Sequence, residues 1–201
     1  EVIRESVPVI KEFIKAYNIP IFEVSGYEAD DVIGTLAKQK KKRGIITYMM
    51  TPDKDYGQLV SETTFIYRPK YGDKEFEVMG IERVKEKFGI ESTAQVIDLL
   101  GLMGDSSDNI PGCPGVGEKT AQKLIAQIGS IESLLERTSE LNGALKTKVE
   151  ENKEKILFSK FLATIKTDVP VELDMELLKR EAPDEEKLTA LLDFYELRAL
   201  K

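Results

Sequence analysis

The apolar pattern of this chain changes near residue 90, and no other feature constrains the fold as strongly. Before that point, helical stretches alternate with four short apolar segments, at 19–24, 45–50, 63–68 and 74–79. Such alternation is typical of an open, mostly parallel α/β sheet with flanking helices. Beyond it the spacing is helical, except for VPVELD at 169–174, which could form one edge strand. We therefore predict an α/β subdomain over residues 1–90 and an all-α subdomain over residues 91–201.

Apolar residues three and four positions apart identify the helices. One stripe, near the start of the chain, consists of Ile10, Phe13, Ile14 and Tyr17. Another, in a long charged helix, consists of Phe158, Phe161, Leu162 and Ile165. A stripe of this kind marks the apolar face of an amphipathic helix.

Composition narrows the chemistry that is available. The sequence is 41% hydrophobic and 32% charged, and no apolar run reaches the roughly 18 residues of a membrane span, so we expect a soluble globular protein with no membrane contact. Cys113 is the only cysteine, in agreement with a reducing cytoplasm. Histidine is absent, which excludes Ser-His and Cys-His catalysis and His-ligated zinc. The formal charge of −7 disfavours a nucleic-acid partner unless the acids are gathered to hold cations.

Seven acidic residues form three clusters along the chain. They are Glu28, Asp30 and Asp31 in YEADD, Asp53 and Asp55 in TPDKD, and Asp105 and Asp108 in GDSSDN. The first two clusters follow apolar strands, and the carboxyl ends of parallel strands form a ligand-binding crevice. Each cluster by itself could consist of helix-terminal acids, turn formers or loop caps. Together they favour one pocket, because like charges in a cleft repel one another and need a cation between them.

The ligand types in these clusters select the metal. Carboxylate oxygens without histidine or cysteine favour Mg²⁺ or Mn²⁺ over zinc. A calcium loop of the EF-hand type does not fit, since counting from Asp105 puts Ile110 and Val116 where it needs Gly and Glu. Two hard ions about 3.5 to 4 Å apart activate water and stabilise a leaving oxygen, so we expect hydrolytic phosphoryl transfer.

A glycine-rich turn, PGCPGVG at 111–117, lies between two predicted helices. It nearly matches a nucleotide-binding P-loop, but Glu118 stands where that motif has Lys, and no strand precedes it. We interpret it as a hairpin whose amides, at the helix start near Gly117, bind one phosphate of a duplex without reading its sequence. A plain helix-helix turn is the alternative. The residues expected to contact DNA are Gly112, Gly115, Val116, Gly117, Lys119, Thr120 and Lys123.

Three motifs, in this order and spacing, carry a resemblance to a known family: GYEADD, TPDKDYGQL and GLMGDSSDNIPGCPGVGEKTAQKLI. They resemble the 5′-nuclease domain of bacterial DNA polymerase I, within the flap endonuclease family, and the likeness covers nearly the whole chain. It implies a PIN-like 5′-nuclease fold followed by a helix-hairpin-helix subdomain. It also implies Mg²⁺-dependent, structure-selective removal of 5′ ends and flaps in DNA replication and repair.

The resemblance also implies roles for individual residues. Glu28, Asp30 and Asp31 would surround a first metal ion, Asp53 would lie between the two ions, and Asp55, Asp105 and Asp108 would bind the second. All seven would be catalytic. The segment 111–123 would grip the downstream duplex and hold K⁺ through loop carbonyls. The implied partner is duplex DNA with a 5′ flap or nick, a polymerase domain would belong to the same parent chain, and we expect a monomer.

Part of the family pattern has no counterpart in these residues. A first strand with another metal-binding Asp, a further Asp and a basic helical arch are missing, so we expect a truncated domain. By itself it should bind branched duplex DNA weakly and cut it slowly or not at all. Two other interpretations stay open: a duplex-binding module without catalysis, and an Asp-x-Asp phosphatase with Asp53 as nucleophile and Asp55 as acid. Tyr56 and Gly57 fit the phosphatase motif poorly.

Overall fold

The computed structural model describes residues 2–41, 44–69, 75–172, 174–197 and 199. The chain divides into two compact units. One is Glu28–Val169, and the other combines Glu1–Tyr27 with Pro170–Lys201. The predicted subdomain boundary near residue 90 falls inside the larger unit and stays a prediction.

Most of the described residues are helical. The helices are α1 Val2–Ala16, α2 Ala29–Lys41, α3 Ile81–Phe88, α4 Val96–Met103, α5 Glu118–Ile128, α6 Ile131–Glu136, α7 Gly143–Glu151, α8 Lys153–Ala163 and α9 Glu185–Phe194. The strands are β1 Thr47–Met50, β2 Thr64–Pro69 and β3 Phe76–Met79. Short 3₁₀ segments are Asp55–Leu59, Thr93–Gln95, Thr138–Glu140 and Glu176–Leu178. Within the described part of the chain, no helix is both long enough and apolar enough to cross a membrane.

The smaller unit pairs the first and the last of these helices. The rings of Phe13 on α1 and Tyr195 after α9 lie 6.1 Å apart. The N–H of Asp184 donates to the carbonyl of Ala16 at 2.8 Å, and the Asp184 carboxylate caps α9 by accepting the N–H of Lys187. The amphipathic helix predicted at the start of the chain is therefore confirmed, and its partner is the last helix.

The sheet lies in the larger unit and is small and mixed. β1 runs parallel to β2, with Thr47 opposite Thr64, and β3 runs antiparallel to β2 on its other side. A parallel pair needs a crossover connection, and this one passes through the 3₁₀ segment Asp55–Leu59. The predicted architecture, a sheet with flanking helices followed by helices alone, is confirmed. The crossover brings Asp53 directly after the carboxyl end of β1.

One predicted strand is wrong and another does not form. Residues 19–24 adopt neither helix nor strand, and no strand among the described residues pairs with them. Ile19 is half exposed, and Pro20 has no N–H to donate to a sheet ladder. The described residues of VPVELD, 169–172 and 174, also lie outside any strand. Apolar content alone does not make a strand, because the backbone groups of a strand need a partner.

Helix α8 is confirmed, but its expected stripe is not its buried face. Phe158 is 56% exposed and Phe161 is 66% exposed, whereas Ile156 and Ser159 are fully buried. The reason lies in the opposite helix, α4. Gly101 has no side chain there, and an added Cβ would lie only 3.0 Å from the Cα of Lys160. This close approach selects the face of α8 that turns inward.

Helix α4 is held rigidly from two sides. Leu99 and Leu100 are fully buried in the core, and Asp98 on the same helix is 5% exposed. The Asp98 carboxylate accepts the N–H of Ile131 at 3.0 Å and a hydrogen bond from Lys160 Nζ at 2.6 Å. These contacts tie α4 to α6 and α8. The C-terminal end of α4, where the third acidic cluster begins, is therefore well anchored.

Candidate active site

The third acidic cluster lies on a closed loop directly after α4. Asp105 and Ile110 exchange two backbone hydrogen bonds of 2.8 Å each, which closes the loop between them. Gly104 makes the turn into this loop with φ +74°, and an added Cβ would lie 2.6 Å from the Ile110 carbonyl oxygen. Residue 104 therefore has to be glycine. The closed loop holds Asp105 and Asp108 in a defined relative position.

The second cluster lies where β1 ends. The N–H of Asp53 donates to Thr51 Oγ1 at 3.1 Å, and the N–H of Asp55 donates to Asp53 Oδ1 at 3.0 Å. These two bonds form a tight turn into the 3₁₀ segment. Asp55 is turned inward by it and is 8% exposed.

Three carboxylates from these two loops converge, and we call them the triad: Asp55, Asp105 and Asp108. One oxygen from each lies within 4.8 Å of the others. Asp55 Oδ1 is buried and has no hydrogen-bond donor among the described residues. Burial, together with the negative charges of Asp53 and Asp105, raises the pKa of Asp55 from 3.8 to about 7. The triad is thus a place where negative charge is concentrated and only partly compensated.

Lys54 carries a positive charge that partly compensates the negative charge of the triad. Its Nζ lies 2.5 Å from Asp105 Oδ2, and Asp105 is 4% exposed. Burial by itself would raise the pKa of Asp105, but hydrogen bonds from Lys54 and Ser107 lower it on balance. Lys54 was not predicted as part of the site, although its position between the two aspartates of TPDKD was a usable signal.

Asp30 of the first cluster reaches the same region through a buried tyrosine. Tyr56, which is 4% exposed, donates its phenolic hydrogen to Asp30 Oδ1 at 2.9 Å. Asp108 is exposed, and its pKa is raised by partial desolvation of the carboxylate and then by the charges of Asp105, Asp53 and Asp30. Asp30 and Asp53 therefore lie within electrostatic range of the triad. Tyr56, which the sequence analysis did not assign to the site, joins the first cluster to the second.

Of the two remaining acids, Asp31 makes a structural contact and Glu28 is exposed. Asp31 Oδ1 accepts the backbone N–H of Lys166 at 2.8 Å, so it holds the chain that follows α8. Glu28 is exposed, and its carbonyl accepts the N–H of Val32 at the start of α2. The structure brings neither Glu28 nor Asp31 into the triad.

An open cleft of about 630 Å³ runs along these groups. Its lining combines acidic, basic and hydroxyl side chains: Thr51, Pro52, Asp53, Lys54, Lys87, Asp105, Ser107 and Asp108. A cleft of this size and polarity can admit an extended, charged ligand to the acidic groups.

The glycine hairpin packs on the same end of α4 as the triad loop. The N–H of Cys113 donates to the Leu102 carbonyl at 2.7 Å, and the N–H of Gly112 donates to Ser159 Oγ at 3.0 Å. Gly112 has φ +62°, and an added Cβ would lie 2.4 Å from the backbone nitrogen of Gly104. The two turns therefore touch through their glycines. Gly112 and Val116 are buried, so they shape the hairpin from beneath.

The outer surface of the hairpin is basic. Gly115, Gly117, Lys119 and Lys123 are exposed, and Thr120 is half-buried. Gly117 precedes α5, whose first turn has no side-chain cap. An added Cβ on Gly115 would lie 2.5 Å from the Nζ of Lys148 on α7, so this lysine belongs to the same surface. Sequence reasoning missed Lys148, because it is 33 residues away in the chain. Within the described residues, no carboxylate forms an ion pair with any of these three lysines.

Two family models match the chain one after the other. The model described as 5′-3′ exonuclease, N-terminal resolvase-like domain, matches residues 1–89, and the model described as 5′-3′ exonuclease, C-terminal SAM fold, matches residues 91–186. The chain belongs to the 5′-3′ exonuclease family. The resemblance carried by the three sequence motifs is thereby confirmed.

Curated relatives of this 5′-3′ exonuclease chain are DNA polymerases. DNA polymerase I of Bacillus subtilis (strain 168) is 46% identical over 190 residues, which make up 94% of this chain and 22% of that protein. DNA polymerase I of Caldicellulosiruptor bescii is 36% identical over 200 residues, or 98% of this chain and 23% of that protein. The chain therefore spans about a fifth of the length of the curated relatives that it matches.

Solved structures share the fold of this 5′-3′ exonuclease chain. T5 5′-exonuclease with bound divalent zinc ions has a TM-score of 0.65 and 20% identity, covering 87% of this chain and 62% of that one. The catalytic core of Rad2 in complex with DNA substrate has a TM-score of 0.61 and 18% identity, covering 94% and 64%. At these identities the likeness shows the fold alone.

Proposed function

We propose that this chain is the 5′-nuclease part of a DNA polymerase I and that it cuts phosphodiester bonds at 5′ ends and flaps of DNA with the help of Mg²⁺ or Mn²⁺. The observation that carries the proposal is the triad itself. Asp55, Asp105 and Asp108 converge, and one oxygen of Asp55 is buried without a donor among the described residues.

The residues present fit a hard divalent cation. Every side chain of the triad offers carboxylate oxygen, the ligand type that Mg²⁺ and Mn²⁺ prefer. The unpartnered Asp55 Oδ1 is costly as long as no positive charge faces it. Asp53 and Asp30 also act electrostatically on Asp108, and we propose Glu28, Asp30 and Asp31 for the other ion, with Asp53 between the two ions. When bound, a pair of such ions would activate water and stabilise the leaving oxygen of a phosphodiester.

The protein's own contribution is to hold the DNA at a set distance from the triad. The triad loop follows the C-terminal end of α4, the hairpin packs back on that end, and the glycines of the two turns touch. Exposed amides and lysines on the hairpin suit a phosphate of the duplex, and they offer no base-specific contact. The position of the cut would then follow from the shape of the DNA and not from its sequence. K⁺ at the hairpin stays a prediction.

The proposed partner is duplex DNA with a 5′ flap or nick. The relatives are named DNA polymerases, so we propose that a polymerase domain belongs to the same parent chain. A monomer suffices for this activity, because every acid in the proposal comes from one chain.

A flap-cleavage assay tests this function. A labelled 5′-flap duplex is incubated with Mg²⁺ and the 201-residue chain, and in parallel with a chain extended at its N-terminus. In whichever form cuts, we expect Asp105→Asn to slow single-turnover cleavage about 100-fold or more, because it removes a metal ligand. The control is Asp168→Asn, an exposed acid outside the three clusters. Equal cleavage by both variants, or Mg²⁺-independent cleavage, would contradict the proposal.

A second candidate function is duplex binding without catalysis. The observation that favours it is the basic hairpin surface, whose three lysines lack carboxylate partners in the described part of the chain, whereas Glu28 and Asp31 lie outside the triad. This function predicts salt-sensitive DNA binding that persists in chelator and is unchanged by Asp53→Ala or Asp105→Ala. Cleavage by either form of the chain excludes it.

A further inference from the structure

A positive side chain already lies against one member of the triad. Lys54 Nζ approaches Asp105 Oδ2 at 2.5 Å. Burial by itself would lower the pKa of Lys54, but the hydrogen bond and charge of Asp105, with smaller contributions from the charges of Asp55 and Asp108, raise it on balance. The backbone of Lys54 has little freedom, since it caps the 3₁₀ segment between two aspartates that are hydrogen-bonded to each other. The placement of this ammonium group is therefore a property of the turn.

Lys54 and a divalent cation need the same oxygen atoms. Asp105 is 4% exposed, so its oxygens can be reached from few directions, and Lys54 Nζ takes one of them. Its other oxygen, Oδ1, accepts two hydrogen bonds from Ser107. A metal ion bound to the triad would face the ammonium group at close range, and like charges at that distance repel strongly. One cation has to leave when the other binds.

The side chain of Lys54 is able to leave. It is 35% exposed and borders the cleft of about 630 Å³, so its flexible stem can swing into open space without disturbing the core. Asp55 and Asp105, by contrast, are held by the turn and by the closed loop. The ligands stay in place while the lysine moves.

We propose that Lys54 is the built-in counter-cation of the triad: it neutralises Asp105 until a divalent cation displaces it, and it thereby sets the metal affinity of the site. The inference rests on the proposed function, since it assumes that the triad binds a metal. Lys54 is in this sense a positioning residue. It lowers the affinity for the metal and stabilises the carboxylates of the metal-free protein.

The test compares Mn²⁺ binding by Lys54→Met with binding by the unaltered chain. Free aqueous Mn²⁺ is measured by electron paramagnetic resonance at constant pH and salt. Removing the competing charge should tighten binding about tenfold, whereas Lys54→Arg, which keeps the charge, should stay within about threefold. Lys87→Met is the matched control. Lys87 borders the same cleft but forms no ion pair with Asp105 among the described residues, so it should change affinity less than about twofold.

A second readout guards against a variant that folds poorly. Without divalent ions, Lys54→Met should unfold at a lower temperature than the unaltered chain. Added Mn²⁺ should raise the unfolding temperature of Lys54→Met by more than that of the unaltered chain. A purely structural lysine would lower the stability without tightening Mn²⁺ binding.

The possible outcomes test the role of Lys54 and the existence of the metal centre separately. Unchanged or weaker Mn²⁺ binding by folded Lys54→Met overturns the role of Lys54 and leaves the metal centre intact. Mn²⁺ binding that Asp105→Asn does not weaken, in either background, overturns the metal centre and the inference with it. Tighter Mn²⁺ binding by Lys54→Met that is abolished when Asp105→Asn is added supports both the role of Lys54 and the metal centre.

Discussion

The triad loop and the glycine hairpin lie at the same end of α4, yet the charged groups of the triad and of the hairpin are placed in opposite ways. In the triad, negative groups are drawn inward: Asp55 and Asp105 are buried, and burial, with the charges of Asp53 and Asp105, raises the pKa of Asp55. On the hairpin, the positive groups of Lys119, Lys123 and Lys148 stand outside, and no carboxylate of the described chain pairs with them. One region concentrates charge, and the other spreads it over a surface.

The difference teaches what each region can do. Charges held together away from water respond strongly to a cation, a proton or the loss of one member. Charges on an open surface are screened by salt, and each adds a modest share of the affinity for a polyanion. Under the proposed function, we assign the cleavage chemistry to the triad and the DNA contact to the hairpin. Changes to the two regions should differ in size and in kind.

The largest expected effect concerns pH and Asp55. Its pKa is raised from 3.8 to about 7, so the folded protein prefers the protonated acid. Without metal, this stabilisation is complete below pH 4 and is lost as the pH rises through 7, by up to about 4 kcal/mol. Urea unfolding at several pH values, in chelator, measures it.

The control for this effect is Asp55→Asn, whose side chain has no proton to lose. The free energy of unfolding of this variant should depend less on pH. The affinity for the metal should change in the opposite direction: it should increase with pH as Asp55 ionises near pH 7. If the metal-free protein became more stable between pH 4 and pH 7, and Asp55→Asn removed that rise, this account of the triad would be contradicted.

A smaller effect is expected at the link between the first two clusters. Tyr56→Phe removes the hydroxyl that donates to Asp30 at 2.9 Å and keeps the buried ring. Losing a group that orients a ligand should weaken Mn²⁺ binding about tenfold, while folding stability falls by only about 1 kcal/mol. Calorimetric titration with Mn²⁺ gives the affinity. If metal binding is unchanged, Asp30 does not belong to the metal centre.

The smallest effect is expected on the hairpin. Lys119→Ala should weaken binding of duplex DNA about threefold near 0.1 M salt and reduce the salt dependence by about one counterion. Fluorescence anisotropy over a salt series measures both. Lys85→Ala is the control, since Lys85 is a lysine on α3 that is paired with Glu82. An equal loss in both variants would mean that the hairpin surface has no special role.

Much of the site could be predicted because its chemistry is local in sequence. Asp53 and Asp55 share one turn, and Asp105 and Asp108 share one loop. Their short spacing in the sequence was therefore enough to predict each pair as part of the candidate site. The convergence of these two loops could not be read from spacing. It depends on the crossover from β1 and on the anchoring of α4 by Asp98 and Lys160.

The errors have a common cause. Residues 19–24 have the composition of a strand, and Phe158 and Phe161 have the spacing of a buried stripe, but neither pattern says which surface is available for packing. Lys148 was missed for the same reason, since it meets Gly115 from a distant helix. Periodicity reports what a segment can bury, and only its neighbours decide what it does bury.

The sequence by itself determined the kind of chemistry and the turns that carry it. Carboxylates without histidine select hard metal ions, and glycines at 104 and 112 are required by φ values that other residues adopt rarely. Tertiary structure alone decided which face of α8 turns inward, that Asp31 holds the chain after α8, and that Lys54 lies against Asp105. The physical reason is range: backbone conformation depends on adjacent residues, whereas burial and electrostatic coupling depend on whatever the fold brings within a few ångströms.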